Sequence, residues 1–302
     1  MITTQNLTKK FDQITAVKNL TLEIPEGEVF GFLGPNGAGK TTTIRMLTSL
    51  IKPTNGSASV NGHIVGEQDI DIRRSVGLLT ETPGLYDNLS AERNLEIYAS
   101  LYEVEDIKGQ VEKYLRFLGL WERRLDVAAT FSKGMKQKLA IARSLLHEPR
   151  TLFLDEPTAA LDPEASRLVR EFILEIKKEG RTIFICTHNL DEADRLCDRI
   201  GVFKTSLLVL DSPAKLRQQV FGRKVVFHLQ QADDALVEKL NQHPYVTEAQ
   251  LIDHKIVATI DDPETYNPEI IRFLVSEGAD VQFVGELRRS LEDVYLQLVK
   301  NA

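Results

Sequence analysis

An α/β fold built on a buried, largely parallel sheet is predicted for this 302-residue chain by three features. Short apolar runs at 29–33, 76–79, 152–154 and 182–186 are bounded by segments with helical spacing, the pattern of strands covered on both faces. A glycine-rich turn joins the first run to a helical segment, giving strand, loop and helix in immediate succession. The composition, 42% apolar and 27% charged, is that of an ordinary globular protein.

Taken in order, residues 2–24 alternate apolar and polar side chains in β-like runs and close on a turn at 25–28, so an antiparallel β subdomain is expected first. Ile44, Leu47 and Ile51 space a helix over 40–51. Residues 90–147 form a helical insert, with Leu95, Ala99, Val111, Leu115 and Leu118 at helical spacing and Gly109 and Gly119 as interruptions. Beyond Pro213 a short helical stretch ends near Gly222, and the pattern restarts. Strand 225–229, helix 235–240, strands 246–252 and 256–260, helix 268–276, strand 281–284 and helix 291–299 give a βαββαβ order, that of a small ferredoxin-like α+β domain. Two domains are therefore expected, 1–221 and an accessory domain 222–302.

The net charge of −7 argues against a nucleic-acid binder, which needs a basic surface to displace counterions. The imbalance is local: residues 1–221 hold 29 basic and 30 acidic side chains, and 222–302 hold 8 and 14. Cys186 and Cys197 have neither disulfide-framework nor zinc-ligand spacing, which fits a reducing compartment. The amino terminus lacks the apolar core of a signal peptide, and no stretch approaches the roughly 18 apolar residues of a spanning helix. Any membrane role is expected to come through a partner.

Gly34, Pro35, Asn36, Gly37, Ala38, Gly39, Lys40 and Thr41, followed by Thr42, fit G-x-x-x-x-G-K-[ST] between a predicted strand and helix. Backbone N–H groups in such a turn face phosphate oxygens, and the helix that follows adds its positive end. Lys40 would place its charge on the β and γ phosphates, and the Thr41 hydroxyl on Mg²⁺. The apolar run 152–154 ends in Asp155 and Glu156, which supplies a metal-side carboxylate and, one residue on, a general base for an attacking water. A P-loop NTPase core follows from these two motifs.

In that setting Phe131, Ser132, Lys133, Gly134 and Met135 resemble the signature motif of ABC-transporter nucleotide-binding subunits, and Ala160, Leu161 and Asp162 their D-loop. His188, after the strand 182–187, resembles the switch histidine, and Phe11 the aromatic that stacks on adenine, a position where a core Phe would fit nearly as well. The resemblance covers about 1–220. It implies ATP and Mg²⁺ as ligands and a head-to-tail homodimer in which Ser132, the Gly134 backbone and Asp162 meet nucleotide held by the other protomer. It also implies a separate transmembrane permease, no nucleic-acid partner, and a cytoplasmic place on the inner face of the membrane.

Two departures stand out. Glu81 occupies the position where the family usually has Gln, as a third candidate metal ligand beside Thr41 and Asp155, and Lys133 and Met135 replace the usual Gly and Gln. The signature variant, the loop 79–86 and the extension ending near Tyr295 resemble ATPase subunits of the ABC-2 exporter group. A soluble non-transport ABC ATPase and a regulatory nucleotide-binding module are the alternative readings.

Overall fold

Strands β1 (Ile2–Phe11) and β2 (Ile14–Ile24) form an antiparallel hairpin closed at Asp12, whose φ of +48° suits a tight turn. The computed structural model describes residues 1–159, 161–287 and 289–300. Strand β3 (Val29–Leu33) is buried throughout and leads into helix α1 (Lys40–Leu47). This helix stops four residues before the expected Ile51, because Ser49 turns to φ +55° and the N–H groups of Leu50 and Ile51 fold back onto the Arg45 carbonyl. Strands β4 (Asn55–Val60) and β5 (His63–Ile64) extend the hairpin to a four-stranded sheet of order β2-β1-β4-β5.

Helix α2 (Asp69–Ser75) precedes β6 (Val76–Leu79). The insert consists of α3 (Ala91–Leu101), α4 (Ile107–Phe117) and α5 (Lys133–Leu145), whose first turns are capped by Ser90, Asp106 and Ser132. Strand β7 (Thr151–Asp155) follows. Helix α6 (Pro163–Lys178) is capped by Asp162 with Pro163 in its first turn, and is followed by β8 (Thr182–Thr187), α7 (Leu190–Leu196), β9 (Arg199–Lys204) and β10 (Ser206–Asp211). The central sheet has the order β10-β9-β3-β8-β7-β6, parallel except for β10. Phe30, Phe32, Phe153, Phe184 and Phe203 from its strands pack into one core with Leu7, Leu20 and Leu22 of the hairpin sheet and with Ile44 and Leu47 of α1. The P-loop core, the antiparallel β subdomain and the helical insert thus take the places expected of them.

The chain divides into two compact units, Met1–Ser212 and Pro213–Ala302. Helix α8 (Pro213–Phe221), assigned from sequence to the first domain, falls within the second unit, where it packs against the terminal helix. The second unit continues as β11 (Lys224–Leu229), α9 (Asp234–Asn241), β12 (Glu248–Ile252), β13 (Lys255–Thr259), α10 (Pro263–Ser276), β14 (Val281–Glu286) and α11 (Leu291–Lys300). Its sheet order, β12-β13-β11-β14 with every neighbour antiparallel, is the split βαβ arrangement of a ferredoxin-like domain. Leu236, Leu240, Ile270 and Leu274 from α9 and α10 close over Val225, Phe227, Ile256 and Ala258. Helix α10 begins five residues earlier than Pro268 suggests. Asp262 caps it, Pro263 takes the first turn, and Pro268 is carried inside the helix.

Candidate nucleotide site

Backbone crowding shapes the loop between β3 and α1. A Cβ on Gly34 would lie 2.2 Å from the Phe203 carbonyl oxygen, and one on Gly39, already at φ +107°, would lie 2.2 Å from the Ala16 carbonyl oxygen. The loop is fastened on the same side by Thr205 N–H donating to the Ala38 carbonyl and by Ala38 N–H donating to that of Pro35. Lys40 is buried, and its Nζ donates to the Gly34 and Pro35 carbonyls at 2.6 and 3.2 Å, so the ammonium sits inside the curl of the loop. Gly34→Ala is expected to destabilise the first unit by about 1–3 kcal/mol, because the clash is with backbone that cannot rotate away. Gly37→Ala meets no atom within 4 Å and bears only the cost of its φ of +79°, about 1–2 kcal/mol. Urea denaturation of the two variants checks the order, and equal losses would count against the crowding argument.

The carboxylates arrive from β7. Thr41 Oγ1 donates to Asp155 Oδ2 at 2.8 Å, tying the start of α1 to the strand end. Burial holds the Asp155 carboxyl above the usual carboxylate range and the charge of Glu156 adds to this, with the Thr41 hydrogen bond acting the other way. Glu156 has left the strand. Its φ is +52°, a left-handed conformation costing a non-glycine residue about 1–3 kcal/mol, and its N–H is held by the Cys186 carbonyl. The twist aims its side chain at the end of β8, where Oε1 lies 2.9 Å from His188 Nδ1 and Oε2 accepts from the Thr187 hydroxyl at 3.3 Å. His188 is exposed at the mouth and Glu156 nearly buried.

These groups line one cleft of about 390 Å³, with Asn36, Gly37, Gly39, Lys40, Thr41, Thr42, Glu81, Asp155, Glu156 and His188 on its walls. The hydroxyl and carboxylate oxygens of Thr41, Asp155 and Glu81 are a donor set that suits Mg²⁺. Among the described residues no group of three or more His, Cys, Asp or Glu side chains is placed to hold a metal by itself.

Other sequence-selected residues lie elsewhere. Gly34, Pro35 and Ala38 are not among the residues that line the cleft, and the Gly34 and Pro35 carbonyls accept from Lys40. Phe11 does not line the cleft; it is 46% exposed on the hairpin, with Lys9 Nζ 4.9 Å from its ring centre. Ser132 and Asp162 cap α5 and α6, and a Cβ on Gly134 would come within 3.2 Å of Ala165 Cβ; none of the three lines this chain's own cleft. Ala160 lies outside the described residues. The structure adds residues that carried no sequence signal. Ala16 and Ala159 form cleft wall, and buried Gln137 of α5 donates to the Pro157 carbonyl just past Glu156. Thr187 carries a sequence signal of its own, a hydroxyl at the end of a fully buried strand directly before His188.

Strand, glycine-rich loop and helix, with a carboxylate-ended strand one place removed in the same sheet, define a P-loop nucleoside triphosphatase. Residues 17–159 match the ABC transporter family, and residues 212–299 match the C-terminal domain of DrrA1-3-like ATP-binding proteins. Over 300 residues the chain is 35% identical to the bacitracin transport ATP-binding protein of Bacillus licheniformis, covering 99% of this chain and 97% of that one. A fluoroquinolones export ATP-binding protein of Mycobacterium tuberculosis is 38% identical over 211 residues, 70% of this chain and 69% of that one. Among solved structures, an ATP-binding subunit of an ABC transporter superposes with TM-score 0.67 at 31% identity, covering 72% of this chain and 92% of that one. A dimeric, post-hydrolysis ATP-binding cassette bound to ADP and Pi gives 0.65 at 27%, covering 70% and 98%. The chain belongs to the ATP-binding subunits of ABC transporters, and is an ATPase.

Proposed function

We propose that this chain hydrolyses ATP as the motor subunit of a drug or antibiotic exporter, working as a head-to-tail homodimer with two ATP molecules at the interface. The observation that carries the reading is the convergence, in one cleft, of the Thr41–Asp155 hydrogen bond at 2.8 Å and the Glu156–His188 contact at 2.9 Å. Lys40 and the backbone of residues 34–42 bind the phosphates, Glu156 takes the proton of the attacking water, and His188 orients Glu156 and the γ-phosphate. Thr41, Asp155 and Glu81 would hold Mg²⁺, which when bound neutralises charge developing between the β and γ phosphates. Phe11 stacks on adenine from the hairpin.

Ser132, Gly134 and Asp162 serve the partner's nucleotide. Their absence from this chain's own cleft supports that division of labour, and the dimeric state of the solved relative agrees with it. Loss of γ-phosphate removes contacts from both sides of the interface, so the dimer opens after hydrolysis and the motion is passed on. Among the described residues no helix is long and apolar enough to cross a membrane. A separate permease receives the motion, docking near Glu81 and residues 85–93 and holding the chain on the inner face of the membrane. The domains act unequally: the first, to Ser212, carries the chemistry, and the acidic accessory domain faces cytosol or a basic patch on the other protomer. Affinity purification of the tagged chain from solubilised membranes is expected to recover a polytopic membrane protein; recovery of ribosomes or DNA in its place overturns the transport reading.

A further inference from the structure

The side chains that line the cleft are more acidic than basic. Among the described residues lining it, three carboxylates, Glu81, Asp155 and Glu156, face one ammonium, Lys40. The position of Glu81 is set by the turn around it. Thr80 Oγ1 donates to the Thr82 carbonyl at 2.6 Å, and the next residues are fastened to the helical insert. Arg143 of α5 donates through Nη1 to the Pro83 and Gly84 carbonyls at 2.6 and 2.8 Å, Tyr98 of α3 donates to the same Gly84 carbonyl at 2.9 Å, and the guanidinium lies 5.0 Å from the Tyr98 ring centre. The clamp fixes the backbone around Glu81, whose exposed side chain lines the cleft.

We infer that Glu81 makes nucleotide binding conditional on a divalent cation, so that the site takes metal-complexed ATP and rejects the free tetra-anion. The inference rests on the proposed nucleotide site and adds a specificity-determining residue to it. With the cation present, Glu81 faces a positive charge and its own charge favours the complex. Without it, the same charge faces phosphate oxygens and repels them. An amide of the same shape would accept from the metal equally well and, with no charge, would not repel free ATP.

The test is equilibrium binding of a fluorescent ATP analogue to the full chain, in excess Mg²⁺ and in EDTA, for the wild type and Glu81→Gln. Wild type is expected to bind with Mg²⁺ and to weaken sharply in EDTA, whereas Glu81→Gln binds the metal-free analogue about tenfold more tightly than wild type does. Wild type that binds with Mg²⁺, alongside a Glu81→Gln metal-free affinity equal to or weaker than its own, overturns the inference alone. Wild type that binds under neither condition overturns the proposed site and the inference with it.

Discussion

Replacing Glu156 with Gln is expected to reduce ATP turnover by about 10²-fold or more while ATP binding persists, so that ATP-bound dimers accumulate. The substitution keeps the shape and the left-handed backbone of residue 156 and removes the capacity to take a proton. It also unbalances a pair of contacts. Oε1 faces His188 Nδ1 at 2.9 Å and Oε2 accepts from the Thr187 hydroxyl at 3.3 Å, and an amide offers an acceptor to one of these and a donor to the other. Binding is spared because the phosphate-holding groups, Lys40 and the loop backbone, are untouched, and one negative charge beside the γ-phosphate is gone. Single-turnover hydrolysis measures the first effect, and size-exclusion chromatography with ATP the second.

His188 and Glu156 act as a unit in this arrangement, so the double variant His188→Ala, Glu156→Gln should lose little more turnover than Glu156→Gln alone. Strictly multiplicative losses would mean that the imidazole works independently of the carboxylate. Hydrolysis unchanged in Glu156→Gln would remove Glu156 from the base role altogether.

The parts of this site that sequence made legible are those whose chemistry is written in local order. The loop 34–41 needs its glycines and Lys40 at fixed offsets because one turn of backbone must both approach phosphate and start a helix. Asp155 and Glu156 were readable because they end a run of apolar residues, and His188 because it ends another. Parallel strands place such ends along one edge of a sheet, and that topology brings together residues more than a hundred positions apart, as in the Thr41 to Asp155 contact. The apolar runs themselves announced the sheet.

What stayed hidden depends on tertiary packing. Ala16 has no functional group to advertise it, yet its carbonyl is what forbids a side chain at Gly39. The left-handed backbone at Glu156 is not legible in local sequence, and its N–H is taken by the Cys186 carbonyl on a neighbouring strand. Gln137 and Arg143 read as polar positions on an amphipathic helix, and their roles, toward the Pro157 carbonyl and toward the Pro83–Gly84 backbone, exist only once α5 lies against the core. Pro268 misled in the opposite direction. A proline that looked like a helix start is tolerated inside α10 because Asp262 and Pro263 had already begun the helix.

Lys40→Met should abolish nucleotide binding, with affinity falling at least about 10²-fold, and leave the fold intact. The ammonium is buried and already oriented by the Gly34 and Pro35 carbonyls, so its charge acts at short range in a site screened from water. Charge-assisted hydrogen bonds of this kind contribute about 1.5–3 kcal/mol each, and two of them on the β and γ phosphates account for a loss of that size. Methionine preserves the apolar stem that packs in the loop. The structural cost is the loss of a donor to two carbonyls, about 1–3 kcal/mol, well within the roughly 5–15 kcal/mol that stabilises a typical domain. Thermal denaturation without nucleotide should therefore show a cooperative transition lowered by a few degrees, and the upward shift that ATP gives the wild type should vanish. A Lys40→Met protein still stabilised by ATP to the wild-type extent would place the phosphates away from the curl of residues 34–39, and the assignment of the cleft would fall with it.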